Sequence, residues 1–204
     1  MHQANKPENK RLIIYSAGVC PFAQRTLILL QFKKLKPQII KIDLDNKPAD
    51  FLKLSPYGKV PLLKHGDKVI YESSIINEYL EEMFPKPQLL STDTYEKAMQ
   101  RIWITYCNNE FIPIFYKVLL NQYPEKAEKL KEKLIQSILF IEEGLAKLAT
   151  NQLYFSGHTI SLVDITFYPF FERFIINEYY RQVKIPDSCI HLNKWIENMR
   201  ALPE

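Results

Sequence analysis

The chain has 204 residues, of which 47% are hydrophobic and 25% charged, the balance of a folded globular protein rather than a disordered one. Its 27 basic and 23 acidic residues leave a net charge of +4, spread along the chain and too weak a footprint for nucleic-acid binding. Three cysteines, Cys20, Cys107 and Cys189, stand far apart without CxxC or Cys/His spacing, so neither a disulfide framework nor a metal site is expected. His2, His65, His158 and His191 are equally isolated and read as surface or structural residues. The first ten residues are polar, so no signal peptide is expected, and no stretch reaches the roughly 18 apolar residues of a membrane span. A reducing, cytoplasmic setting is predicted.

Leu12, Ile13, Ile14 and Tyr15 form an apolar run that predicts a buried strand, ended by the turn residues Ser16, Ala17 and Gly18. Over residues 21–34, Phe22, Leu27, Leu30 and Phe32 recur among polar residues, a helix with proline in its first turn. The basic run Lys33, Lys34 and Lys36 reads as its solvated end, where cations suit the helix dipole. Residues 38–43 return as a second strand. A β-α-β order means two parallel strands and a right-handed crossover.

Residues 47–54 predict a short helix, and 55–59 a loop that leads into Val60 and Pro61. Strands at 62–64 and 68–71 flank His65, Gly66 and Asp67, a hairpin signal. The next helix, 73–84, carries Ile75, Ile76, Tyr79, Leu80 and Met83 on one side. This order is the thioredoxin-like arrangement, assigned to residues 1–84. Pro85 and Pro87 open a linker over 85–92, and residues 93–204 predict an all-helical domain. Its helices are expected at 95–120 with a kink at Pro113, at 125–148, at 161–176 and at 191–202. In the second of these, Glu128, Lys129, Lys131, Glu132 and Lys133 read as a solvated face. Ser161 and Asp164 fit a capping box, with Asp164 fixing a helix start rather than catalysing. The fold class is therefore α/β plus all-α.

Cys20 carries the chemistry. An unpaired cysteine is ordinarily a small buried hydrophobe, and Cys107 and Cys189 are read that way. Cys20 differs because it sits where a strand gives way to a helix, and unpaired N–H groups there favour an anion, which for cysteine is the nucleophilic thiolate. Ala23 stands where a second cysteine would complete a CxxC pair. The thiol therefore works alone, and an outside thiol must resolve any mixed disulfide it forms. Glu72 and Ser73 open a helix, where a hydroxyl and free N–H groups suit a carboxylate and Glu72 an ammonium. That pair matches the α-amino acid end of the γ-glutamyl group of glutathione, and Lys47 suits the carboxylate at the other end. Taken singly, Ser73 is an N-cap and Lys47 a surface lysine; the set points to a ligand.

Four segments together resemble the cytosolic glutathione transferases, most closely the omega class: Cys20-Pro21-Phe22-Ala23-Gln24-Arg25, Asn46-Lys47-Pro48, Ser55 to Pro61, and Tyr71-Glu72-Ser73-Ser74-Ile75. The segment from Asp93 to Ala98 looks like the omega linker region, and the resemblance runs from about Leu12 to Leu202. It implies that Cys20 is the catalytic nucleophile, and that Phe22, Lys47, Val60, Glu72 and Ser73 bind glutathione as cosubstrate, with no metal. It also implies a cis bond between Val60 and Pro61 that exposes the Val60 backbone to pair with a peptide-like ligand. The second substrate would be a small electrophile or disulfide in a cleft against the helical domain, where Tyr106, Glu110, Tyr116, Phe171 and Phe174 are candidate lining residues. The chain ends soon after Arg200, where omega proteins carry a further segment, so an acceptor site open to bulky substrates is expected. A homodimer is implied, without nucleic acid or membrane.

The reactions that fit are thioltransferase, dehydroascorbate reductase and deglutathionylation. An alternative is a non-catalytic binding protein of the stringent starvation protein A type, whose segment like Tyr71-Glu72-Ser73 is shared but which lacks the Cys-Pro-Phe segment. Another is a protein like the chloride intracellular channels, which shares that segment. Against it, the apolar run from Leu27 to Phe32 is too short to span a bilayer.

Overall fold

The structure is a computed structural model that describes residues 11–148 and 152–202. The first ten residues, with His2 and the reading made of them, lie outside that range. Strand β1 (Leu12–Ser16) pairs in parallel with β2 (Gln38–Lys41) through helix α1 (Pro21–Phe32), as the β-α-β pattern predicts. After α2 (Ala49–Leu54), β3 (Leu62–His65) runs antiparallel to β1, with Ile14 opposite Leu63 and Tyr15 opposite Leu62. The hairpin to β4 (Lys68–Tyr71) completes the order β2-β1-β3-β4, and α3 (Ser73–Met83) follows. Side chains alternate across the sheet. On one face Tyr15 and Leu62 meet Ala17, Ala23, Ile42, Phe51 and Val60 in an apolar cluster, against which Cys20 packs. On the other, Ile14 and Leu63 are fully buried. His65 is structural, its Nδ1 2.8 Å from the Tyr79 hydroxyl. The chain divides into two compact units between Leu89 and Leu90.

Lys33 is not solvated, which corrects the reading of the basic run. Its side chain is 0% exposed, with Nζ 2.6 Å from Glu81 Oε2. The same ammonium donates to the carbonyls of Phe84 at 2.6 Å and Pro87 at 2.8 Å. The other Glu81 oxygen accepts the Leu89 N–H at 2.9 Å. The chain leaving α3 thus lays three oxygens where water would have solvated the lysine, while Lys34 and Lys36 stay exposed. Removing one partner of a buried pair leaves the other charge uncompensated. Lys33→Met is expected to lower the unfolding free energy by about 3 kcal/mol, and the double variant with Glu81→Leu to recover only part of it, because the Leu89 N–H and the two carbonyls stay without these partners. Equal melting of the single variant and the wild type would show that the pair carries no weight.

The second unit is helical. Helix α4 (Thr94–Tyr106) starts at Asp93, whose carboxylate accepts the Glu96 N–H at 2.9 Å. A π-helical stretch, Cys107–Phe111, leads into α5 (Ile112–Leu119). The sequence places the irregularity at Pro113; the structure widens the turn just ahead of it. A proline ring clashes with the carbonyl four residues earlier, and the wider turn moves that carbonyl aside. Beyond α6 (Pro124–Ala146), the single helix expected over 161–176 is two, α7 (Leu162–Glu172) and α8 (Ile175–Arg181). The break follows Pro169, whose carbonyl accepts the Arg173 guanidinium at 3.0 Å at the end of α7. Helix α9 (Ile190–Arg200) closes the unit.

The predicted capping box forms at the start of α7. Ser161 Oγ accepts the Val163 N–H at 3.2 Å, and Asp164 Oδ2 accepts the Ser161 N–H at 2.8 Å and its hydroxyl at 2.6 Å. Asp164 Oδ1 reaches further, to the Phe155 N–H at 3.0 Å and the Trp195 indole N–H at 2.8 Å. Asp164 is 0% exposed. Burial pushes its carboxyl above the ordinary value, opposed by the Ser161, Phe155 and Trp195 donors.

Trp103 of α4 packs on Tyr106, Phe140, Phe155 and Phe167, and Gly144 of α6 is what lets the indole sit there. A Cβ on Gly144 would lie 2.3 Å from two carbons of that ring. Alanine is favoured over glycine inside a helix by about 0.5–1 kcal/mol, but overpacking costs about 1–3 kcal/mol. Packing wins. Gly144→Ala is expected to destabilise by about 1–2 kcal/mol net, read as a lower midpoint of thermal unfolding; a raised midpoint would contradict this account.

Candidate functional site

Of the predicted site residues, Cys20 and Phe22 lie at the start of α1, Glu72 and Ser73 at the start of α3, Val60 just ahead of β3, and Lys47 against the turn of residues 55–59. Cys20 is the N-cap of α1, held by its N–H to the Ala17 carbonyl at 3.0 Å, and Gln24 N–H bonds back to its carbonyl at 3.1 Å. Its side chain makes no capping bond, Pro21 follows at the first helical position, and no acidic residue lies in the first turn. The sulfur is half-buried and approaches one polar atom, the Val60 carbonyl oxygen, at 3.7 Å. Cys107 and Cys189 are both 0% exposed. Burial raises the Cys189 thiol, with Glu142 adding to the effect.

Val60 stands two residues before β3, outside the ladder with β1, and its bond to Pro61 is cis as the resemblance implies. A turn braces it from behind. Ser55 Oγ accepts the Lys59 N–H at 3.0 Å and donates to the Lys59 carbonyl at 3.1 Å, while Gly58 N–H bonds to the Ser55 carbonyl at 3.0 Å. Gly58 holds φ of +58°, a conformation that side chains resist. Half-buried Lys47 lies against this turn, its Nζ 3.9 Å from where a Cβ on Gly58 would stand. The signal for the Ser55 brace is local, a serine before Pro-x-Gly, which favours a turn.

Glu72 is the N-cap of α3, exposed, at φ 69° and ψ 114°. A non-glycine residue at positive φ carries strain of order 1–3 kcal/mol, and such residues cluster at functional sites. Ser73 is the first residue of α3 and 5% exposed. Its hydroxyl accepts a hydrogen bond from Arg25 Nη1 at 3.2 Å. Phe22, half-buried on the first turn of α1, has the Arg25 guanidinium 5.2 Å from its ring centroid. Cys20 and Val60 are thus in direct contact, and Arg25 joins Ser73 to the thiol's helix. No local pattern marks Arg25 out, because its partner lies 48 residues away.

The acceptor-lining candidates fare differently. Phe171 and Phe174 are 1% and 4% exposed, and Phe171 stacks on Phe111 at 4.9 Å between centroids. The Tyr106 hydroxyl is 2.8 Å from Ser137 Oγ, and burial raises its ionisation above the ordinary phenol value. Phe171 and Phe174 are core of the helical unit, while Tyr106 is half-buried. Glu110 is exposed, and Tyr116 borders a surface groove with Pro113, Leu120 and Tyr123. Among the described residues, no group of three or more His, Cys, Asp or Glu is placed to hold a metal ion. Among them also, no helix is long and apolar enough to cross a membrane.

Comparison with known proteins gives the same frame. Residues 19–83 match the glutathione S-transferase N-terminal domain and residues 94–203 the glutathione S-transferase C-terminal domain. The chain is 38% identical over 161 residues to glutathione S-transferase omega-1 of Sus scrofa, covering 78% of this chain and 66% of that protein. It is 33% identical over 192 residues to glutathione S-transferase omega-1 of Rattus norvegicus, covering 93% and 77%. Among solved structures, a Tau class glutathione S-transferase from mango superposes with a TM-score of 0.88 at 28% identity, covering 95% of this chain and 90% of that one. A dehydroascorbate reductase from Chlamydomonas reinhardtii superposes with a TM-score of 0.78 at 25% identity, covering 95% and 89%. The chain belongs to the glutathione S-transferase family and is most like its omega class.

Proposed function

We propose that this protein is a glutathione-dependent thiol transferase or reductase in which Cys20 is the sole nucleophile. The observation that carries the reading is the 3.7 Å approach of Cys20 Sγ to the Val60 carbonyl oxygen. A peptide that pairs with the Val60 backbone as an added strand would bring its own cysteine sulfur to the Cys20 thiol. Glutathione is such a peptide. Its γ-glutamyl carboxylate would rest on Ser73 at the N-terminal end of α3, its ammonium on Glu72, its glycyl carboxylate near Lys47, and its sulfur beside Phe22.

In this reading the Cys20 thiolate attacks the glutathione sulfur of a glutathionyl mixed disulfide. The new S–S bond forms as the old one breaks, and the substrate leaves as a thiolate that takes up a proton. A second glutathione thiolate then attacks the adduct, releasing oxidised glutathione and restoring Cys20. The omega relatives and the dehydroascorbate reductase neighbour support a transferase or reductase of this kind. The cytoplasmic setting, the homodimer, and the assignment of 1–84 to glutathione binding, 85–92 to a linker and 93–204 to a helical domain belong to the same proposal.

Peptide mapping by mass spectrometry tests the nucleophile. After incubation with oxidised glutathione and removal of the excess, one glutathionyl group is expected on the Cys20 peptide and none on those of Cys107 or Cys189. Absence of the adduct, or its appearance only at the other two cysteines, would remove Cys20 from the mechanism.

A further inference from the structure

Ser55 stands at the C-terminal cap of α2, 3% exposed, with its N–H bonded to the Phe51 carbonyl at 2.9 Å. A buried hydroxyl is costly unless it is hydrogen-bonded, and this one is used twice. It accepts the Lys59 N–H at 3.0 Å and donates to the Lys59 carbonyl at 3.1 Å. A serine oxygen has a single proton to give, and here that proton is committed to Lys59. One side chain thus holds both backbone groups of Lys59, as a neighbouring strand would.

The consequence falls on the next residue. The Lys59 carbonyl and the Val60 N–H belong to one peptide unit, and that unit is trans. In a planar trans unit the C=O and the N–H point in opposite directions. Fixing the carbonyl on Ser55 therefore turns the Val60 N–H away from the turn. Val60 is 7% exposed, and its N–H meets no acceptor among the described residues. Buried backbone donors are almost always paired, so this one is held ready for a partner. The carbonyl of the same residue lies 3.7 Å from the Cys20 sulfur. Two successive peptide units thus lead from the Ser55 hydroxyl to the thiol.

We propose that Ser55 is a positioning residue that aims the Val60 N–H at a carbonyl of the bound peptide, so that the site selects a ligand bearing that carbonyl. Residues opposite each other in an antiparallel pair can exchange both backbone bonds. The residue opposite Val60 is then the cysteinyl residue of glutathione, whose sulfur meets Cys20. The inference rests on the strand pairing given under the proposed function. Ser55 acts only through Lys59 and Val60.

Isothermal titration calorimetry on the full chain tests this, with S-methylglutathione and its analogue in which a trans alkene replaces the cysteinyl-glycyl amide. The alkene keeps the shape of the amide and lacks the acceptor, and neither ligand can form a disulfide with Cys20. The alkene also lacks the glycyl N–H, a loss common to every variant. The wild type is expected to prefer the amide ligand about tenfold. Ser55→Ala is expected to lose most of that preference while leaving the alkene Kd within about twofold. Weakening of both ligands alike is what a mere packing role gives and would overturn the proposal. Ser55→Thr keeps the hydroxyl and is expected to keep the preference. Ser55→Cys keeps the volume with a weak donor and acceptor, so it is expected to shrink the preference and stands in should Ser55→Ala not fold. The wild type separates the two levels of the argument. If it shows the preference and both Ser55→Ala and Ser55→Cys keep it, the role of Ser55 falls and the strand pairing stands. If the wild type shows none, both fall.

Discussion

Cys20→Ser is expected to lower glutathione-dependent reduction of a mixed disulfide by at least about 10³-fold, to the uncatalysed background, while making the protein slightly more stable. The loss follows from the element replaced. A serine hydroxyl is close in shape to the thiol but forms no bond to sulfur in a disulfide exchange, and Ala23 provides no second thiol in the segment. Cys107 and Cys189 are fully buried and do not substitute. The gain follows from position. Cys20 occupies the N-cap of α1 without a side-chain capping bond, and serine is among the residues preferred there, worth about 0.5–1 kcal/mol. A site that holds a poor cap where a good one would fit has exchanged stability for chemistry. Steady-state kinetics and a melting curve on the same sample check both halves. Activity retained by Cys20→Ser would overturn the mechanism outright.

Asp164→Ala is expected to destabilise by about 5 kcal/mol. Losing an N-cap partner alone typically costs about 1 kcal/mol. Here the same carboxylate also satisfies the Phe155 N–H and the Trp195 indole N–H, and each buried donor left without an acceptor costs about 1–3 kcal/mol. Trp195 is 2% exposed and packs against Phe155 and Phe171, so no water reaches its indole without moving those rings. Asp164→Asn keeps an acceptor oxygen and should recover part of the loss. Both tryptophans, Trp103 and Trp195, belong to the helical unit, so intrinsic fluorescence during urea unfolding reports on this region directly. A loss below about 2 kcal/mol would mean that the cap alone matters.

The elements of the fold were legible because each rests on local pattern. The strands at 12–15 and 38–43, the proline-started α1 and the Ser161 capping box depend on neighbours within a few residues. The lone thiol at a helix start was legible for the same reason. What escaped depends on residues distant in sequence. Lys33 looks solvated within its basic run, and only the return of Glu81 and the carbonyls of Phe84 and Pro87 gives it a buried destination. Arg25 looks like one more polar helix residue until Ser73 arrives beneath it. Phe171 and Phe174 sit at helical spacing, which cannot by itself tell a wall from a core. The break after Glu172 was masked because Pro169 sits inside an otherwise continuous apolar run, and α8 resumes within three residues.

The Lys33 arrangement also decides where the first unit can be severed. A fragment ending at Met83, the last residue of α3, would discard both carbonyls that receive the ammonium and the N–H that occupies Glu81. Two buried ions would face each other without those partners. Carried on through Leu89, the fragment keeps every one of those partners. The tail beyond the last helix is thus a latch belonging to the sheet-bearing unit, and a portable version of that unit has to take its latch along.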